Sequence, residues 1–312
     1  MKKMYTGNNP RLDPATLAER GWDITDSPND ADLFCTYLAP PPDCDPARTI
    51  LMQGEPPITP GRVALYERAA EFMGWVTFSP KTANAIAFSD TAPHMLPYPP
   101  RMELRVRRDD SELCRKGRGI YFAGHKRPAH KPDAVQCGVP IIYHRRARWA
   151  SRLMERLGGR CVGAGWTEQT KDAPGGWGAS KFADLAAGDF DFHFCAENCI
   201  MRGYISEKFW HGLLSDRVAV YMGHCAIKRA VDPSAYVFAD DFATPDDLAD
   251  YLLRMTPRQY RAIIAAARGV LDDVGDRPEQ ELRRLTARVC DMAEKVRAWD
   301  GIFTHEHERI EA

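Results

Sequence analysis

Short apolar runs alternate with amphipathic stretches along this chain, and the spacing of the two predicts its elements. Asp13-Pro14 opens a first helix, with Asp13 as N-cap, Pro14 at the first position and Gly21 able to close it. Leu33 to Tyr37, Thr49 to Met52 and Trp75 to Phe78 read as strands, and Thr59-Pro60 starts a helix carrying Val63, Tyr66, Ala70 and Met73 near one face. Further on, Ile120 to Phe122 and Val139 to Tyr143 are strand-like, and Trp149, Leu153 and Leu157 recur at helical spacing. Phe190, Phe192 and Phe194 alternate with Asp189, Asp191 and His193, the period of a half-buried strand. Ser206 caps a helix whose Phe209, Trp210, Leu213 and Leu214 turn inward; Val218 to Met222 and Ala235 to Ala239 are further strands. Thr244-Pro245 and Thr256-Pro257 each open a helix, and Pro278 to Trp299 reads as one charged amphipathic helix. The glycine-rich stretch Gly158 to Ser180 reads as a long flexible connection, which a compact domain tolerates where it binds or covers something. This succession of strand and helix predicts an α/β fold.

At 312 residues and 44% hydrophobic the chain is large enough for two ordinary cores. The boundary is expected where RVRRDDSELCRKGRG interrupts the apolar pattern, giving domains 1–112 and 113–312. Residues 123–138 form a polar, proline-containing insertion in the second. Lys plus Arg number 42 against 43 Asp plus Glu, a net charge of -1. Basic patches such as RVRR and HRRAR are bordered by acidic text, so the balance argues against a nucleic-acid partner. Nine scattered cysteines do not form the framework of a small disulfide-bonded domain and fit reduced thiols in a cytosol. The first residues lack an apolar signal core, and no stretch approaches the roughly 18 apolar residues of a membrane span. A cytoplasmic location is expected, with room for peripheral contact at the inner face of the membrane. The C-terminal helix could brace the domains or mediate self-association.

The richest chemistry lies in FDFHFCAENCIMRGYISEKFWHGLLSDRVAVYMG, residues 190–223. It reads as strand, polar loop, helix N-terminus, helix and strand. Ligands of α/β sheets bind beyond the carboxyl ends of the strands, so Glu197, Asn198, Tyr204, Glu207 and Lys208 would border one crevice. Lys208 is an unfavourable cation in a first helical turn unless an anion such as a diphosphate is bound there. A capped surface helix with a solvated Glu-Lys pair fits the same text. His193, Cys195, Glu197 and Cys199 alternate and look at first like metal ligands, but a zinc site needs convergence in space, and incidental polar positions on a strand are the plainer reading.

Ala196-Glu197-Asn198, Tyr204-Ile205-Ser206-Glu207-Lys208 and Val218 to Gly223 resemble, in order and spacing, the donor-binding motif of the α-1,3/α-1,4-fucosyltransferases, glycosyltransferase family 10. The family pattern is Phe-Glu-Asn, then Tyr-Val-Thr-Glu-Lys, then a strand ending in Gly. AYVFADDF, residues 235–242, also resembles a downstream family element. The resemblance is clear over residues 188–255. Here Ala196 replaces an aromatic residue, Ser206 a threonine, and Ala219 a proline. LMQGEPP and HMLPYPP resemble elements of the acceptor domain in bacterial members.

The resemblance implies a GT-B-like fold of two Rossmann-like domains facing across a cleft, and a divergent bacterial-type enzyme. Its substrate would be GDP-β-L-fucose, with transfer to a glycan hydroxyl, inversion at the anomeric carbon and no essential metal or cofactor. Lys208 would hold the diphosphate, Glu207 the ribose, and Tyr204 the nucleotide pocket, while Glu197 and Asn198 position donor and loop. Arg145, Arg146 and Arg148 form the densest cationic cluster, and the family's spacing selects Arg146 as second diphosphate ligand, with Arg145 as neighbour in register. Glu55, after a strand and Gly54, reads by itself as a surface glutamate; the resemblance makes it the base that deprotonates the acceptor. Acceptors would be a polysaccharide or lipid-linked saccharide. The alternatives are a related transferase using another nucleotide sugar, or a weakly active carbohydrate-recognition protein of the same fold.

Overall fold

Asp13 does what its chemistry predicts. Its carboxylate accepts the Thr16 N–H at 2.8 Å and the Thr16 hydroxyl at 2.6 Å, starting a helix with Pro14 at its first position. The computed structural model describes residues 2–6, 12–37, 44–45, 48–53, 74–77, 85–87, 102–109, 113, 119–124, 135–136, 139–163, 165–166, 176–201, 204–274, 280 and 282–294. Its first elements are β1 (Lys2–Tyr5), α1 (Pro14–Glu19), β2 (Trp22–Thr25), β3 (Leu33–Tyr37), β4 (Thr49–Gln53), β5 (Gly74–Thr77) and β6 (Ala85–Ala87). The six strands pair in parallel in the order β2-β1-β3-β4-β5-β6. Leu33, Phe34, Cys35 and Thr36 are all buried, as expected of a strand inside a parallel sheet. The helix expected from Thr59-Pro60, and Glu55 itself, lie outside the described residues.

The second set comprises β7 (Gly119–Ala123), β8 (Val135–Gln136), β9 (Val139–Pro140), α2 (Tyr143–Leu157), β10 (Gly159–Val162), α3 (Gly176–Ala187), β11 (Phe190–Ala196) and α4 (Glu207–Leu214). It continues with β12 (Val218–Met222), α5 (Ile227–Ala230), β13 (Val237–Phe238), α6 (Pro245–Arg254) and α7 (Pro257–Val274). A parallel sheet runs β10-β7-β11-β12-β13. Ile120, Phe122, Phe192, Phe194, Val218 and Val220 point to the face covered by α2 and α6, while Cys195, Ala219 and Tyr221 meet α4 on the other. Gly212 of α4 lies so close to the sheet that a Cβ there would come within 2.8 Å of Ala219 Cβ and Cys195 Sγ. Both units are thus Rossmann-like, the fold class expected.

Three local expectations change. All seven residues of β11 are buried rather than every second one, because helices cover both faces of the strand, so Asp191 and His193 are interior groups. Within the expected connection 158–180, Gly159–Val162 is an edge strand paired with β7, and the C-terminal part already belongs to α3. Val139 to Tyr143 is not one strand: β9 stops at Pro140, and Tyr143 begins α2.

Tertiary contacts divide the chain into Met1–Met95 with Asp276–Ala312, and Leu96–Gly275, which differs from the expected division at 112/113. Charge masks the reason in the sequence. The backbone N–H of Arg108 donates to the Asp216 carboxylate at 2.6 Å, and its guanidinium donates to the Asp216 carbonyl. Arg268 grips that same carboxylate with two hydrogen bonds of 2.9 and 2.7 Å. Residues 102–108 therefore belong to the second unit. The helix at 282–294 belongs to the first, where Thr286 Oγ1 accepts the Asp13 N–H at 2.8 Å. Among the described residues no helix is long and apolar enough to cross a membrane.

Candidate functional site

β11 ends at Ala196, and the next residue carries the site's innermost charge. Glu197 is fully buried. Its Oε1 accepts the Ser206 N–H at 2.7 Å and the Tyr221 hydroxyl at 3.2 Å, and its Oε2 accepts the Ser206 hydroxyl at 2.6 Å. Ser206 is the N-cap of α4, its oxygen accepting the Lys208 N–H at 3.3 Å. The carboxylate therefore fixes the helix start from beneath. Burial raises the Glu197 carboxyl above its usual range, against the opposing pull of Lys208 and the two Ser206 hydrogen bonds. Ser206→Ala removes a cap and strands one carboxylate oxygen. Urea denaturation is expected to show a loss of about 1–3 kcal/mol; no measurable loss would mean that Glu197 does not depend on this hydroxyl.

Lys208 crosses the top of this arrangement. Its Nζ donates to Ser206 Oγ at 3.1 Å and to Glu207 Oε1 at 3.0 Å, and lies 3.8 Å from Glu197 Oε2. Burial opposes its charge, but Glu207 and Glu197 outweigh burial and hold the ammonium above the usual lysine range. Conversely, burial opposes the Glu207 anion, and the charge and hydrogen bond of Lys208 bring its carboxyl down to about 2. Lys208 keeps 18% of its side chain accessible and Glu207 36%, against none for Glu197, so only the first two present groups to a ligand.

Arg146 comes from the first turn of α2. Its guanidinium donates to Asn198 Oδ1 and, at 3.4 Å each, to the carbonyls of Ala196 and Glu197, and it stacks 4.5 Å over Tyr143. It is among the charges acting on Lys208. Arg146 is nevertheless only 2% exposed, so its visible work is to brace the Glu197-Asn198 loop. Arg145, more accessible, pairs with Asp240 and lies 5.6 Å over Trp149, while Arg148 is exposed. Tyr204 is buried at the base of the loop. Of the predicted residues, Arg146, Glu197, Asn198, Glu207 and Lys208 thus form one connected set and Tyr204 lies within the same loop. Glu55 is outside the described residues.

The spacing that suggested metal ligands in β11 has a different use. His193 Nδ1 lies 3.3 Å from Ser215 Oγ, and burial drives its imidazole well below the usual range, towards the neutral form. Among the described residues no three His, Cys, Asp or Glu side chains are grouped to hold a metal ion. Two residues beside this set carried no clear signal in the sequence: Tyr221, whose hydroxyl donates to Glu197 from what reads as an ordinary apolar strand position, and Lys181 of α3, buried against His211 of α4. The only signal for Lys181 was its place beside Phe182 and one turn from Leu185, on the apolar side of α3.

At the end of central parallel strand β11, a capped α4 thus sets a buried carboxylate under an accessible ammonium. Residues 143–297 match glycosyltransferase family 10 (fucosyltransferase) C-term, and this C-terminal part of the chain is a divergent member of that family. The chain is 36% identical over 83 residues to alpha-(1,3)-fucosyltransferase 7 of Bos taurus, a stretch covering 26% of this chain and 24% of that protein. It is also 36% identical over 66 residues to the 4-galactosyl-N-acetylglucosaminide 3-alpha-L-fucosyltransferase FUT6 of Pongo pygmaeus, covering 20% and 18%. The chain thus matches about a quarter or less of the length of these curated relatives. A crystal structure of an alpha1,3-fucosyltransferase with GDP-fucose shares the fold at a TM-score of 0.52 and 15% identity, covering 84% of this chain and 81% of that one.

Proposed function

We propose that this chain is an inverting fucosyltransferase that moves L-fucose from GDP-β-L-fucose to a hydroxyl of a glycan acceptor. The observation that carries this reading is the accessible Lys208 ammonium at the N-terminus of α4, held over buried Glu197 inside the segment that matches the family. A diphosphate placed there meets a cation and the positive end of the helix together. Lys208 would turn from Glu207 to the phosphates, Glu207 would contact the ribose, and Tyr204 would shape the nucleotide pocket. Arg146 would support the diphosphate and, through Asn198, hold the loop that positions the donor.

Glu55 would take the proton of the attacking acceptor hydroxyl as the new bond forms at the anomeric carbon and the bond to the β-phosphate oxygen breaks. GDP leaves with the bonding pair, and the product is α-linked. Placed cations lower this barrier because they meet the leaving charge without reorganising. The donor is a substrate, and no metal or cofactor is required by this scheme. The acceptor class is a polysaccharide or lipid-linked saccharide, reached in the cytoplasm or at the inner face of its membrane.

Donor choice is the decisive test. Purified protein is expected to release GDP from GDP-fucose faster than from GDP-mannose, to leave UDP-galactose untouched, and to bind GDP by calorimetry. Equal turnover of a UDP-sugar, with no heat from GDP, would reject the assignment.

A further inference from the structure

The donor helix has a second cation beneath it. Lys181 on α3 is 2% exposed, and lysines are rarely buried so fully without a partner. Among the described residues its hydrogen-bond partner is His211, with Nζ 3.4 Å from Nδ1. His211 is itself 4% exposed and stands edge-on to Phe182, ring centroids 5.3 Å apart. For the amine to donate, Nδ1 must carry the lone pair, which places the imidazole N–H on Nε2. His211 is on α4, one turn from Glu207 and Lys208, so the contact ties α3 to the helix that carries the site.

The charges explain why a cation would be kept there. Two carboxylates, Glu197 and Glu207, share the Lys208 ammonium. If Lys208 turns to a diphosphate, both lose its full attention just as two further negative charges arrive. Lys181 is already within electrostatic reach of both carboxylates, and it lies under the helix where a ligand cannot claim it. Burial lowers its proton affinity; Cys195 and the two carboxylates restore part of it, against the charge of Lys208.

We infer that Lys181, through His211, is a positioning residue for the donor site, a buried counter-cation that leaves Lys208 free to serve the diphosphate. The inference rests on the donor-site reading given above. A cation kept for the ligand has a recognisable signature: its loss weakens ligand binding more than the fold, because Lys208 still neutralises both carboxylates until a diphosphate draws it away.

In the full chain, Lys181→Met is expected to weaken GDP in calorimetry by about tenfold while the ligand-free thermal midpoint falls by no more than about 4 °C. The KM for GDP-fucose should rise with kcat within about threefold, the pattern of lost ground-state binding. His211→Leu should weaken GDP similarly, and the double variant no more than either single one. GDP affinity within twofold of wild type in Lys181→Met, a larger fall in that midpoint, or additive losses would each overturn the inference. Should Lys181→Met not fold, His211→Gln, which keeps an acceptor for the amine, is compared with His211→Leu. Retained affinity in the first alone supports the inference, and equal affinity in both overturns it. Lys208→Ala separates the two claims. GDP binding weakened by Lys208→Ala but not by Lys181→Met sinks this inference alone, whereas wild-type protein that does not bind GDP sinks the donor site and the inference with it.

Discussion

Turnover of GDP-fucose in Lys208→Ala is expected to fall by about a hundred- to a thousandfold, the range seen when one placed charge-stabilising donor is removed. The loss should appear in kcat as well as in donor affinity, since the charge on the departing diphosphate grows towards the transition state. Turnover within about fivefold of wild type, measured by coupled release of GDP, would remove Lys208 from the leaving-group role. The same variant carries a second signature in acid. Glu207 has its carboxyl lowered from 4.5 to about 2, so its pairing with Lys208 contributes stability that is complete above pH 4.5 and lost as pH falls towards 2. Lys208→Ala should flatten that part of the acid-unfolding curve. An unchanged curve would mean that Glu207 draws its anionic character from elsewhere.

Glu55→Gln is expected to cut turnover by about a hundred- to ten-thousandfold while GDP binding by calorimetry stays within about twofold. Glutamine keeps the shape and a hydrogen-bonding oxygen but cannot take the acceptor's proton. Hydrolysis of GDP-fucose by water, tested without acceptor, should fall too, because water must also shed a proton. Normal transfer in this variant would strike Glu55 from the scheme and return it to an ordinary surface glutamate.

Lys208 also shows what the sequence made legible. Lys208 announces itself, because a lysine just past a Ser cap contradicts the helix dipole and asks for an anion. Asp13-Pro14, Thr244-Pro245 and Thr256-Pro257 announce their helices with similar economy, since capping depends on neighbours a few residues away. Burial is less local. Phe190, Phe192 and Phe194 predict a strand but suggest that His193 faces outward, and only the packing of helices on both faces shows it to be interior. Arg146 is similar. Its place in a basic cluster is visible from sequence, but its grip on Asn198 needs a chain reversal of about fifty residues to become visible. The unit boundary was hidden for the same reason, because RVRR looks like a solvated linker until Asp216, more than a hundred residues away, accepts the Arg108 N–H.

Gly212 sets a limit on how this site can vary. With no side chain of its own, Gly212 lets the helix settle on Ala219 and Cys195 of the sheet, and even a methyl group there would have to displace one of them. Any larger residue would lift the helix and carry Glu207 and Lys208 outward with it. New donor preferences are therefore more accessible through the loops at the sheet's rim than through this helix, whose seat allows function to be lost far more readily than retuned.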